Sequence, residues 1–392
     1  MTWVGATEHD ALLSTAECLV DELRGLRGRL QHANDTEYAQ HSDFANRARS
    51  LADYLNAAIL LTRADAYAPA FANLRTALEH VLVDHLIFLG QRYIQIIIGV
   101  DAATWADWQR QRSSGEAFTQ ALDWRRRRDT VEITYEGLRS EPDSDGESYI
   151  LSPYYFLMKQ YQPYWGPANA QAQFNSGLSD EEGERRFADE NTLIYHTYLN
   201  WPSIKRSLLS NDFADETTIA KLEVHYRFLS AFVHPISDRT ADIYGRNAFA
   251  IPIYDHYSSE LALLYTVAFA VKEIRDFREM TQRYPSVGVS GWEATESLCL
   301  EAWNKISYLW FPGHPPHQFD RIQEANKRAF RSFKTTGASA QQVQDPASIP
   351  DDEVGYYRNP IGRLVSLHSD SQELTTGFCF KSPWQRNDAR FR

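Results

Sequence analysis

Apolar residues open the chain in three helical stripes. Leu12, Ala16, Leu19, Leu23, Leu26 and Leu30 recur at spacings of three and four, which predicts a helix over residues 6–32. Asp35 and Thr36 then supply turn and cap chemistry, and Phe44, Ala48, Leu51, Leu55, Ala58 and Leu61 continue as a second helix. A third is predicted to start near Pro69, a residue suited to a first turn, and to run to Ile97. It is apolar over so wide an arc that it should sit centrally in a bundle.

The pattern changes after residue 103. Trp105–Arg128 is mixed and ends in four arginines, Arg125, Arg126, Arg127 and Arg128. β-Branched and charged residues alternate over Asp129–Leu138, which predicts a strand, and the acidic Glu141–Ser148 reads as a loop. The aromatic stretch Tyr154–Trp165 suits packing onto a helical body better than stacking on bases. Helical spacing resumes at Asp180, runs to Leu199 and is interrupted by Pro202. Asp215 or Thr217 can cap the next helix, which is expected to carry Ile219, Leu222, Tyr226, Leu229, Phe232 and Val233 inward. Further helices are expected over Ser258–Arg283, Gly291–Trp310 and His317–Phe333.

Gly337–Asp352 reads as a polar linker, and the Pro- and Gly-containing remainder as an irregular tail. The expected fold class is thus mainly α. Residues 1–103 and 181–336 form a helical bundle, 104–180 a small β-containing insertion, and 337–392 a linker and irregular tail.

Composition narrows the setting. The 392 residues are 43% hydrophobic, ample for a large core, and the formal charge of −12 argues against a general nucleic-acid coat or an anionic-membrane binder. A local basic groove remains compatible with it, and the arginine run can be a solvated helix end or a set of phosphate contacts. Cys18, Cys299 and Cys379 lack metal or redox spacing and are expected to be buried free thiols in a cytoplasmic protein. The N-terminus lacks signal-peptide character, and the longest apolar runs, such as Ile94–Val100, are far below the roughly 20 residues that span a bilayer. No membrane association is expected.

Specific chemistry concentrates in EVHYRFLSAFVHPISD, Glu223–Asp238. Arg227 and His234 are seven apart, hence on one face of a continuing helix, with Ser230 between them and Pro235 as the stop. A guanidinium, a hydroxyl and an imidazole in one stripe can hold a phosphate and move a proton; they can equally form a buried hydrogen-bonded seam. Arg75 and Glu79, four apart on the third helix, can form an intrahelical ion pair or face that stripe across a helix pair. His80 and Asp84 repeat the spacing. His234, Asp238 and Asp242 include metal-ligand types, but Pro235 breaks the helix that would align them, so neither a metal nor another cofactor is expected. Among the common signatures, GxSxG, HExxH, the P-loop and a strand-following GxGxxG are missing.

At RTALEH (Arg75–His80) and YRFLSAFVHP (Tyr226–Pro235) the sequence resembles HEPN-like helical proteins, over about Leu51–Arg283. The resemblance implies a helical bundle that dimerises. It also implies a metal-independent ribonuclease of a toxin–antitoxin, CRISPR-associated or antiphage system, with RNA and an antitoxin or other defence-system protein as partners. The family signature is Arg, four to six residues, then His; Arg227 and His234 match it, as do Arg75 and His80. On this resemblance Arg227 polarises the scissile phosphate, and His234 is the acid or base in attack by the ribose 2′-hydroxyl. Arg75, Glu79 and Ser230 support the site. Phe228 stands where many active members carry a polar residue after the Arg, and Ile236 where many toxins carry Tyr. The alternative within the same resemblance is a catalytically silent module that binds a partner protein or a nucleotide.

Overall fold

In the computed structural model the described residues are 6–31, 35–98, 101–103, 106, 107, 110, 130–135, 195–234, 243, 257–283, 288–337, 344–356, 359–368 and 382–384. Among them the protein is mainly α-helical, with nine α-helices and two small two-stranded sheets. The helices are α1 (Ala6–Gly25), α2 (Asp35–Arg63), α3 (Tyr67–Leu89), α4 (Trp201–Ser210), α5 (Glu216–Ser230), α6 (Tyr257–Arg283), α7 (Trp292–Lys305), α8 (Gln318–Thr336) and α9 (Pro360–His368). The strands are β1 (Leu30–Gln31), β2 (Tyr93–Ile98), β3 (Thr130–Tyr135) and β4 (Gly288–Val289). The chain divides into two compact units, one of Met1–Asp84 with Ala214–Arg392 and one of His85–Phe213. Among the described residues no helix is long and apolar enough to cross a membrane.

The first unit is built around α6. The run Leu261–Ile274 is apolar on nearly every side, and such a helix is stable only when surrounded. It packs against α1, α2, α7 and α9. Leu19, Leu23, Leu51, Leu55 and Phe44 are buried, and the Phe44 and Phe277 rings meet edge to face at 5.4 Å. Each such side chain contributes roughly 1.5–3 kcal/mol by leaving water.

Several elements differ from the sequence expectation, for local reasons. The first helix stops at Gly25 rather than residue 32. Gly25 and Gly28 each cost about 1 kcal/mol in a helix interior, and the chain tightens into a 3-10 turn over Leu26–Arg29. Leu30–Gln31 then becomes β1, antiparallel to β4 with Leu30 opposite Val289.

The expected linker is only in part a linker. Short 3-10 turns at Pro346–Ser348 and Asp351–Glu353 bury Ile349 and Val354 against Trp310 and Ala325. The tail likewise contains a helix, α9. Asn359 Oδ1 accepts from Gly362 N at 2.7 Å, and Ile361, Leu364 and Leu367 turn inward at spacings of three. Pro360 occupies the first turn, where it breaks no hydrogen bond. Cys299 is buried and its thiol is pushed up to about 12 by desolvation, whereas Cys18 is exposed, contrary to expectation, because α1 turns that position outward. Cys379 lies outside the described residues.

The second unit begins inside α3. The helix ends at Leu89 rather than Ile97. Gly90 follows at a point where a Cβ would lie 2.3 Å from the Leu86 carbonyl oxygen. Asn211 fixes the exit: its Oδ1 accepts from Gln91 N and Arg92 N, and its Nδ2 donates to the Arg92 carbonyl. The β-branched run beyond it becomes β2, antiparallel to β3 from Tyr93↔Tyr135 to Ile98↔Thr130. The expected strand is therefore paired, by residues on the other side of position 104. Pro202 opens α4 rather than merely interrupting a helix; Asn200 caps it by accepting from Ser203 N.

Candidate functional site

Helices α3 and α5 meet through a polar patch. Arg75 Nε donates to Ser230 Oγ at 2.7 Å. Its terminal nitrogens embrace Glu79, Nη2 with Oε1 at 2.8 Å and Nη1 with Oε2 at 2.6 Å. The guanidinium carbon lies 3.8 Å from the centroid of the Tyr226 ring. Tyr226 and Ser230 are one turn apart on α5, as Arg75 and Glu79 are on α3, so two matched pairs face each other. With its side chain only 11% exposed, Arg75 has its fork occupied by a carboxylate, a hydroxyl and an aromatic face.

Beneath this patch Phe71 contacts Phe228 edge to face and stacks on Phe232. That explains Phe228: the residue after Arg227 points into the core, where a polar side chain would lack a partner.

Arg227 lies elsewhere on α5. Its side chain is 76% exposed and pairs with Glu223 one turn earlier. His234 is exposed too, but it is not on the helix. Asp215 starts α5 by accepting from Thr218 N, and the regular helix ends at Ser230. Ala231, Phe232 and Val233 then follow in tight turns bonded to Arg227, Leu229 and Ser230 carbonyls. The seven-residue helical alignment of Arg227 with His234 is therefore broken, and among the described residues no hydrogen bond or ion pair joins either to Arg75 or Glu79. The structure brings together Arg75, Glu79 and Ser230, and leaves Arg227 and His234 facing solvent; Val233, expected inward, is exposed as well, because the helical period stops at Ser230. Asp238, Asp242, the Arg125–Arg128 run and Tyr154–Trp165 lie outside the described residues.

Two buried polar clusters were not foreseen as sites. On the other side of α3, His80 Nδ1 lies 2.9 Å from Asp84 Oδ2, and Arg47 of α2 pairs with Asp84 Oδ1. Glu273 of α6 completes the group. Burial, then the Asp84 and Asp276 carboxylates and a hydrogen bond with Asp84, hold Glu273 well above the usual carboxylate range; Lys272 pulls it the other way. The sequence signal was the His80–Asp84 spacing, whose third member comes from a distant helix.

The second cluster surrounds His225, whose Nδ1 is 2.8 Å from the Tyr265 hydroxyl and whose ring stacks on Phe311. Desolvation, and then the charge of Arg363, lower its pKa to about 3. Arg363 of α9 is itself buried and pairs through both terminal nitrogens with Asp320, while donating to the Tyr308 carbonyl at 3.2 Å. Burial brings Arg363 down to about 9, which leaves it charged at neutral pH. The histidines of GHPPH are structural: His314 is within 3.0 Å of the Trp303 carbonyl, and His317 caps α8 by accepting from Phe319 N.

Compared with family models, with curated proteins and with solved structures, the chain matches none of them.

Proposed function

We propose that the protein is a HEPN-like ribonuclease that cleaves RNA without a metal in the reacting step, as the dimeric effector of a toxin–antitoxin or antiphage system. The observation that carries this reading is the exposure of Arg227 and His234 around the end of α5, while Arg75 and Ser230 are held in the α3–α5 patch. The Arg227–Glu223 pair is no obstacle. An exposed ion pair is worth about 0–1 kcal/mol, and an RNA phosphate can replace Glu223 on the guanidinium.

In the proposed step His234 takes the proton of the ribose 2′-hydroxyl as that oxygen bonds to phosphorus, and Arg227 holds the non-bridging oxygens. The P–O5′ bond breaks, the 5′-oxygen leaves with a proton from water, and a 2′,3′-cyclic phosphate remains. The Arg75–Ser230 bond holds the last residue of α5, from which the turns toward His234 leave.

The test is cleavage of total cellular RNA in EDTA, with end-group analysis. Wild type should leave cyclic-phosphate ends, and Arg227→Ala and His234→Ala should fold normally and lose about 100-fold or more. Intact RNA with wild type, or undiminished cleavage by both variants, would overturn the enzyme reading in favour of a silent module that binds a partner protein or nucleotide.

A further inference from the structure

Helix α3 carries polar pairs on two faces: Arg75 and Glu79 meet α5, whereas His80 and Asp84 meet α2 and α6. The second face has the donor set of a cation site. One atom each from the His80 imidazole and the Asp84 and Glu273 carboxylates lie within 4.8 Å of one another. With metal–ligand bonds of about 2.0–2.2 Å, ligand atoms around one ion stand about 3–4.4 Å apart, so a small inward shift of the widest pair would bring the group to that scale. His80 and Asp84, one helical turn apart, supply two donors from one face, and Glu273 adds a third from a second helix.

What lifts this above an acidic cluster is how its members are left. Glu273 is fully buried, and neither of its oxygens accepts from an N–H or a hydroxyl; its one close side-chain partner is the Asp84 carboxylate, which can bond to it only through a shared proton. Asp84 is fully buried as well; Arg47 holds its Oδ1, but Oδ2 has no donor. His80 Nδ1 stands 2.9 Å from that oxygen without hydrogen-bond alignment, the relation of two ligands of one ion rather than of donor and acceptor. Lys272, next to Glu273 in sequence, is paired with Asp276. Two neighbouring carboxylates out of water are strongly unfavourable unless a cation or a proton accompanies them.

We propose that His80, Asp84 and Glu273 bind one divalent transition cation. A single imidazole with two carboxylates is a borderline donor set, matched by Zn2+ ahead of the harder Mg2+ and Ca2+. Arg47 acts as the outer partner that orients Asp84. His80, with its side chain 14% exposed, gives the ion its path to solvent. The bound ion ties α3 to α6. This site is independent of the ribonuclease reading, since Arg227 and His234 have no part in it.

The experiment uses untagged, full-length protein stripped with chelator, dialysed, and titrated at neutral pH with Co2+ as a visible probe and then with Zn2+. Wild type should take up one equivalent of Co2+ with new visible absorption bands, lose them on adding Zn2+, and melt at higher temperature with either ion. His80→Gln should weaken binding by about tenfold or more. Glu273→Gln keeps the side-chain shape, removes a buried acid and should fold normally; it too should lose the bands and the melting shift. The proposal is overturned if wild type takes up neither ion, or if both variants bind as wild type does. The first outcome assigns the buried pair to a shared proton, and the second places the ion elsewhere.

Discussion

Replacing His225 with Phe provides a direct measure of how firmly the first unit excludes water around α5 and α6. His225 is buried against Phe311 and hydrogen-bonded to Tyr265, and its pKa falls from 6.5 to about 3. The folded state therefore keeps it neutral over a range in which the unfolded chain protonates it. Stability from this source is complete above pH 6.5 and is lost as the pH falls toward 3. The slope is about 1.4 kcal/mol per pH unit, or about 3 kcal/mol by about pH 4.5.

His225→Phe preserves the ring contacts, deletes the Tyr265 bond at a cost of about 1–3 kcal/mol, and abolishes the titration. Urea unfolding followed by tryptophan fluorescence, on both proteins from about pH 7.5 to 4.5, gives the difference in stability; titrations common to both cancel. The variant should be the less stable at the upper end, and the gap should close or reverse at the lower end. A gap constant across the range would show that His225 titrates alike in both states, and the argument from burial would fail.

Arg363→Met should cost about 3–5 kcal/mol in the same unfolding assay, because it strands the Asp320 carboxylate in the core. Pairing it with Asp320→Leu should recover most of that loss, since an apolar pair replaces an ion pair instead of breaking it. Gly90→Ala should cost about 1–3 kcal/mol, because its Cβ would meet the backbone oxygen of Leu86 and not a side chain that can swing away. Faster hydrogen exchange in β2, with α1 and α2 unchanged, would locate the damage.

The helical elements were legible wherever one period ran uninterrupted. The starts of α2 and α5 and almost the whole of α6 follow from Asp35, Asp215 and the apolar run after Tyr257. Errors came where two codes overlap. Ile94 to Ile98 continue an apolar helix as readily as they form a strand, and only the Gly90 exit and the pairing with Thr130–Tyr135 decide. The α9 helix was hidden because Pro360 and Gly362 read as breakers, although one occupies a first turn and the other lies against the Asn359 cap.

At the candidate site, periodicity correctly placed Arg75 and Glu79 on one face, and the Arg75–Ser230 bond joins two helices far apart in the chain. It carried Arg227 and His234 along a helix that ends at Ser230. Glu273 was beyond reach of any local pattern, because its partners belong to another helix and its lack of an N–H or hydroxyl donor exists only in the folded chain.

The first unit is made from two separated stretches of chain, with the second unit between α3 and α5. A helical body closed in this way treats the intervening chain as a loop. Loop closure becomes only about 0.6 kcal/mol less favourable for each doubling of loop length. Loop closure by itself therefore constrains the length of chain between the end of α3 and the start of α5 only weakly. A change of length there should leave the packing of α1, α2 and α6 in the first unit intact.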